Sequence, residues 1–212
     1  MTPCQPTNGR APQPNRLSEA ACSRPSAHLQ PARRGRLTLI HGCMFSGKTS
    51  KLIHLLEQRD AATAVAVKHV RDTRYQINRI VTHDQKAYPA RVADCAAVIP
   101  DALGWRTAFV AVDEGHFFGM GLLAVVGWLL DRGVDLAVTT LDYDSWGRPF
   151  PCFLELAQDA DECLSGVVSC ARCGARADRT QRLTPIIDGR MVGGPEAYEP
   201  RCSSCWQPPP GL

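Results

Sequence analysis

The stretch Leu37-Thr-Leu-Ile-His-Gly-Cys-Met-Phe-Ser-Gly-Lys-Thr-Ser-Lys-Leu-Ile-His-Leu-Leu56 decides the fold. Its first five residues, Leu37 to His41, are apolar and rich in β formers, so they read as a short strand. Its end carries Leu52, Leu55 and Leu56 at helical spacing, which predicts a helix over 47–59. Between them, Gly42-Cys-Met-Phe-Ser-Gly47-Lys48-Thr49 satisfies GxxxxGK[ST] in the strand–loop–helix context that the pattern requires. Glycines let such a backbone wrap phosphate so that successive N–H groups point inward, and the following helix adds its positive end. Residues 42–49 thus bind a triphosphate, Gly42, Cys43, Met44, Phe45, Ser46 and Gly47 through the loop. Lys48 reaches the β- and γ-phosphates, and the Thr49 hydroxyl takes a place on Mg²⁺.

Working outward, Ala64–Lys68, Ala108–Val112 and Val134–Thr140 read as further strands, and Leu122–Arg132 and Phe153–Cys163 as helices. Residues 91–97 are ambiguous. Strands alternating with helices, with Ala108–Val112 apolar throughout, predict an α/β fold: a parallel sheet flanked by helices and carrying the phosphate loop. From about Ser165 the texture changes to short runs, glycines and paired cysteines, the mark of a small separate module. The expected organisation is therefore a Pro- and Arg-rich disordered tail over 1–36, a phosphate-loop domain over 37–164, a small paired-cysteine module over 165–206 and a short tail over 207–212. The first tail has six prolines and little apolar content, too little to offset its ordering entropy.

Composition excludes some classes. No run reaches the ~18 apolar residues needed to cross a bilayer, so no membrane partner is expected. The net charge of +3 is carried by the tail: six arginines against Glu19 give +5 over 1–36, leaving −2 over 37–212. The folded part lacks the basic footprint of a nucleic-acid binder. An N-terminus without an apolar leader core and cysteines grouped in pairs place the chain in a reducing cytoplasm, where paired thiols point to metal.

Two further groups carry chemistry. The apolar strand Ala108–Val112 runs into Asp113-Glu114; a strand-end Asp113 holds the Mg²⁺ shell beside a phosphate loop, and Glu114 accepts a proton from a nucleophile. The alternative is that both acids cap the next turn. His116 follows, either as a polar supporting group or in contact with ligand. Cys170-Ala-Arg-Cys173 and Cys202-Ser-Ser-Cys205 are two CxxC knuckles 28 residues apart, which together complete a tetrahedral, structural Zn²⁺ site. The other cysteines read as tail or core residues, with Cys43 in the phosphate loop exposed to oxidation.

These motifs, with Asp72-Thr-Arg74, Asp113-Glu-Gly-His-Phe-Phe118 and Val192-Gly-Gly-Pro-Glu-Ala-Tyr198, occur in the order seen in one family. Over about residues 37–206 the chain resembles the type II, zinc-containing cytosolic thymidine kinases. The resemblance implies phosphoryl transfer from ATP to the 5′-hydroxyl of thymidine, giving dTMP for DNA synthesis. It implies that Asp72, Thr73, Arg74, Asp113 and His116 join residues 42–49 on the nucleotide side, with Arg74 steadying the transferring group. Glu114 corresponds to the family's proton acceptor, so Glu114, Lys48 and Arg74 are the expected catalytic residues. Met44, Phe117, Leu141, Thr180, Val192, Gly193 and Tyr198 correspond to positions around the nucleoside, several of them on a lasso loop between the knuckles. The family is commonly a homotetramer inhibited by dTTP.

The chain departs from the family pattern in places. His116 stands where the family usually has Gln. Thr140 replaces a Gly, and Ser145 replaces a Phe that packs against the base, while Trp146 next door either supplies a stacking face or is a surface aromatic. A deoxynucleoside kinase of altered specificity is therefore the alternative within enzymes. A non-kinase phosphate-loop ATPase with a binding module of zinc knuckles is the alternative outside them. Residues 165–206 carry six arginines against four acids, a weak surplus for the latter.

Overall fold

The computed structural model describes residues 33–73, 76–185 and 193–209. In chain order the strands are β1 (Leu37–His41), β2 (Ala64–His69), β3 (Arg79–Val81), β4 (Ala87–Pro89), β5 (Arg91–Ala93), β6 (Phe109–Asp113), β7 (Asp135–Thr140), β8 (Glu162–Ser165), β9 (Arg179–Arg182) and β10 (Tyr198–Arg201). The helices are α1 (Lys48–Glu57), α2 (Gly121–Leu130) and α3 (Pro151–Asp159), with 3₁₀ segments at Ala96–Ala102 and Gly115–Phe118. Six strands form one sheet in the order β5-β2-β6-β7-β1-β8, every adjacent pair parallel. The α/β class read from the sequence is the class observed.

The period of two along each strand sorts side chains by size. Leu37, Leu39, Val110, Val112, Leu136 and Val138 face one side, where they bury against α2, α3 and the 3₁₀ segment at Ala96–Ala102. On the other side small residues lie in register, Ala66 beside Ala111 and Ala111 beside Ala137. Leu52, Ile53 and Leu56 of α1 pack onto that smoother surface. Each fully buried leucine or isoleucine contributes roughly 1.5–3 kcal/mol by leaving water, so the sheet is anchored from both faces.

Two local readings change. The helix expected over Phe153–Cys163 stops at Asp159, because the open edge of β1 captures the next residues as a strand. Asp161 N–H donates to Leu37 O at 2.9 Å, and Leu37 N–H donates to Asp161 Oδ2 at 2.8 Å. Next to the tail expected over 1–36, Gly35 N–H donates to Leu130 O at 2.7 Å, and Leu136 N–H to Arg36 O at 2.8 Å. Finally β3, β4 and β5, three residues each, were not legible as strands.

The phosphate loop leaves the carboxyl end of β1. Gly47, at φ 78°, turns the chain into α1, and Phe45 takes the left-handed region at φ 66° without the freedom of glycine. The segment after β8 crosses this loop closely: Gly166 N–H donates to His41 O at 2.7 Å and Val167 N–H to Ser46 O at 3.2 Å. A Cβ at Gly166 would meet Ser46 Oγ at 2.2 Å, so only glycine fits there.

Candidate active site

Two acidic residues at the end of β6 are tied by a single hydroxyl, one through its carboxylate and one through its backbone. Thr139, fully buried on β7, donates to Asp113 Oδ1 at 2.7 Å and accepts from Glu114 N–H at 2.8 Å. Glu114 has left-handed backbone geometry, φ 53°, which turns its side chain out of the direction set by the strand. Asp113 Oδ1 also accepts from Thr49 Oγ1 at 3.4 Å across the gap to α1. A hydroxyl and a carboxylate so placed are the hard oxygen donors that suit Mg²⁺. Lys48, 6% exposed, points its ammonium into the loop, where Cys43 O accepts from it at 2.8 Å.

Two cavities meet here. The smaller, about 40 Å³, is lined by Met44 to Ser50 and by Val81, Thr82 and His83 at the end of β3. The His83 ring lies 4.9 Å from that of Phe45, so the β3–β4 hairpin covers the phosphate loop. The larger, about 300 Å³, contains Met44, Phe117, Leu141, Thr180, Gly193 and Tyr198, all placed by resemblance at the nucleoside. Glu114 lines both cavities.

Some expected residues sit elsewhere. Asp72 and Thr73 line neither cavity; the Asp72 carboxylate is buried 3.3 Å from Lys68 Nζ instead. His116 was expected on the nucleotide side, yet it lines the larger cavity, with Nδ1 3.5 Å from Glu114 Oε2 and accepting Leu141 N–H at 3.4 Å. The 3₁₀ turn after Glu114 carries its ring toward Phe117 and Phe150. Arg74 and Val192 lie outside the described residues. Ser145, almost fully buried, and Trp146 both line the larger cavity.

Sequence reasoning missed Arg71, Tyr143, Arg148 and Phe150, which also line the larger cavity. Tyr143 and Phe150 sat in a motif already noted for Leu141 and Trp146. Arg71 gave no signal: it is one of 24 Lys and Arg, beside a motif that drew attention away from it.

The knuckles converge as their spacing required. The Sγ atoms of Cys170, Cys173, Cys202 and Cys205 lie within 4.8 Å of one another, and Cys173 and Cys202 are 3.6 Å apart. A tetrahedral Zn²⁺ with bonds of ~2.3 Å puts its sulfurs close to that separation. The thiols already differ in acidity. At Cys170, desolvation is outweighed by the backbone N–H groups of Cys202, Cys173 and Arg172, which bring it to about 6. Hydrogen bonds to Cys173 and Cys202 push Cys205 to about 12. This module reaches the phosphate loop directly: Met44 N–H donates to Thr180 Oγ1 at 3.0 Å, and Cys43 packs against Cys170, Ala177 and Cys202. Burial pushes the Cys43 thiol up, with Lys48 opposing. A buried, protonated thiol is a poor target for oxidants, contrary to the sequence expectation.

Among the described residues no helix is long and apolar enough to cross a membrane. The family model described as thymidine kinase matches residues 35–206. Three relatives named thymidine kinase align over most of both chains. The one from Roseiflexus sp. (strain RS-1) is 39% identical over 188 residues, covering 82% of this chain and 96% of its own. The Roseiflexus castenholzii protein is 38% identical over 188 residues, covering 82% and 95%. The Mesoplasma florum protein is 33% identical over 198 residues, covering 84% and 95%. A phosphate loop, a strand-end acid pair and four converging thiols, matched over this length at this identity, place the chain in the thymidine kinase family.

Proposed function

We propose that this protein transfers the γ-phosphoryl group of ATP to the 5′-hydroxyl of thymidine, yielding dTMP. The observation that carries this reading is the position of Glu114, whose side chain borders the phosphate cavity and the larger cavity together. A carboxylate there meets a sugar hydroxyl on one side and a terminal phosphate on the other.

The chemistry follows from charge and placement. Phosphoryl transfer passes through a loose transition state, so positioning and charge neutralisation do most of the work. Residues 42–47 cradle the triphosphate with backbone N–H groups, and Lys48 screens its oxygens. Glu114 accepts the 5′-hydroxyl proton as that oxygen bonds to phosphorus and the bond to ADP breaks. Arg74 steadies the transferring group. Thr49 and Asp113 would hold Mg²⁺, which when bound neutralises phosphate charge. The four knuckle cysteines would hold Zn²⁺ as a structural tie.

Thymine lies between Met44, Leu141, Thr180 and Tyr198, with Trp146 on the wall that a Phe at 145 would otherwise form. By the family resemblance, the lasso loop between the knuckles would exclude water from the bound nucleoside, which keeps ATP from hydrolysis. An apolar pocket around one methyl separates thymine from uracil by only about 1–3 kcal/mol. By the same family resemblance, the working unit is a cytoplasmic homotetramer, which light scattering on the purified chain tests.

The deciding experiment is a nucleoside panel with ATP, read out as phosphorylated product. Thymidine is expected to be the best substrate, with deoxyuridine behind it. ADP release that is independent of any nucleoside would refute the reading.

A further inference from the structure

Two arginines line the larger cavity, and their charges are met differently. Arg148 is paired: its Nε donates to Asp144 Oδ2 at 2.8 Å, and its guanidinium lies 5.0 Å from the centre of the Trp146 ring. Arg71 makes no side-chain hydrogen bond or ion pair among the described residues.

The backbone beneath that guanidinium is tightly held. Arg71 N–H donates to Nδ1 of His69 at 3.0 Å, Asp72 N–H to His69 O at 3.0 Å, and Thr73 N–H to Arg71 O at 3.0 Å. Next to it, the ammonium of Lys68 is shared among Asp72 Oδ2 at 3.3 Å and the carbonyls of Gln76 and Arg79 at 3.3 and 3.2 Å. Both Lys68 and Asp72 are buried, so neither end of this pair is screened by water. The turn that carries Arg71 is thus a rigid mount for a long, exposed side chain.

Strand register places that mount. Lys68 pairs with Asp113 across β2 and β6, so Arg71 leaves the sheet beside the strand that ends in Glu114. The His69 ring, on the same turn, lies 5.7 Å from the ring of Phe117. Arg71 therefore enters the cavity from the side of its proton acceptor.

We propose that Arg71 binds the 5′-phosphate of the nucleoside monophosphate after transfer. This rests on the reading that the cavity holds a nucleoside with its 5′-hydroxyl at Glu114. The nucleoside carries no charge there, whereas its monophosphate carries about −1.5 to −2 at pH 7. A guanidinium fork mounted on a fixed turn separates the two, because its bidentate, charge-assisted bonds exist only with the phosphate. Arg71 thus holds product, and holds the nucleotide that starts the reverse reaction, while contributing little to nucleoside binding.

The test compares wild type, Arg71→Met and Arg71→Lys in direct calorimetric binding of thymidine and of dTMP, alongside thymidine phosphorylation with ATP. Arg71→Met is expected to weaken dTMP binding about tenfold or more and to leave thymidine binding unchanged, with Arg71→Lys recovering part of the loss. A wild type that phosphorylates thymidine, with Arg71→Met binding dTMP as tightly or losing both ligands equally, overturns the Arg71 assignment alone. A wild type inert on thymidine overturns this inference together with the reading it rests on.

Discussion

The Thr139 hydroxyl donates a hydrogen bond to the Asp113 carboxylate at 2.7 Å, with no exposed surface on the Thr139 side. The same oxygen accepts from the Glu114 N–H, so one side chain on β7 fixes the last residue of β6 and the residue after it. Thr139→Val keeps the shape and removes both bonds. It is expected to destabilise the fold by about 1–3 kcal/mol, which for a chain of this size lowers Tm by about 2–4 °C per kcal/mol. It should also depress kcat, since the Glu114 backbone loses its anchor. Thr139→Ser restores both, which calorimetric melting and steady-state rates check. A Thr139→Val enzyme with wild-type Tm and kcat contradicts the assignment.

Glu114→Gln keeps the volume and hydrogen-bonding capacity of the side chain but removes its proton affinity. The expected loss in kcat is about 10²–10⁴-fold, with ATP affinity retained. Near-normal turnover in the variant takes Glu114 out of the proton-accepting role.

Cys170→Ser removes one of four converging thiols, one whose pKa the surrounding backbone N–H groups bring to about 6. Zinc content should fall from about one per chain to a small fraction, because a closed structural site needs its full set of ligands. Since Met44 N–H bonds to Thr180 and Cys43 packs on the knuckles, the affinity for ATP should weaken as well. Plasma emission spectrometry and nucleotide titration check the two effects. Full zinc occupancy in the variant counts against the cluster.

Acid should weaken the fold through His69. Burial lowers its pKa, and the Asp94 backbone hydrogen bond only partly opposes this. The unfolded chain therefore binds a proton more readily than the folded one, so stability is complete above the ordinary value near 6.5 and falls as the pH drops below it. Protonation also removes Nδ1 as the acceptor for Arg71 N–H. Melting curves at pH 7 and pH 5.5 should show a fall in Tm that is smaller in His69→Gln. An equal fall in both proteins points to other groups.

Much of the architecture is legible because buried parallel strands advertise themselves. Leu37–His41, Ala64–His69, Phe109–Asp113 and Asp135–Thr140 each hold a run of three or more Ala, Val, Leu, Ile or Phe apart from single interruptions, and are almost wholly buried. Strands of three residues, such as Arg91–Ala93, cannot display a period. β8 reads as the tail of a helix because its strand character is imposed by an open edge more than a hundred residues upstream, not by its own composition. In the site, most residues that a motif names were found, whereas Tyr143, Phe150 and Arg71, which only the closed cavity gathers, were not. The two CxxC pairs announce a metal by spacing alone. The left-handed Glu114 backbone and the cavity position of Arg71 exist only once β2 and β6 are paired.

The small row at Ala66, Ala111 and Ala137 has a mechanical corollary. α1 packs over β6, β7 and β1 on that side, and its first residue is Lys48. The height of the helix above the sheet is thus set by methyl groups, and the nucleotide lysine rides on that height. Enlarging Ala137 to valine would act like a shim under a hinge: far from any ligand, it would tilt α1 and carry Lys48 out of line.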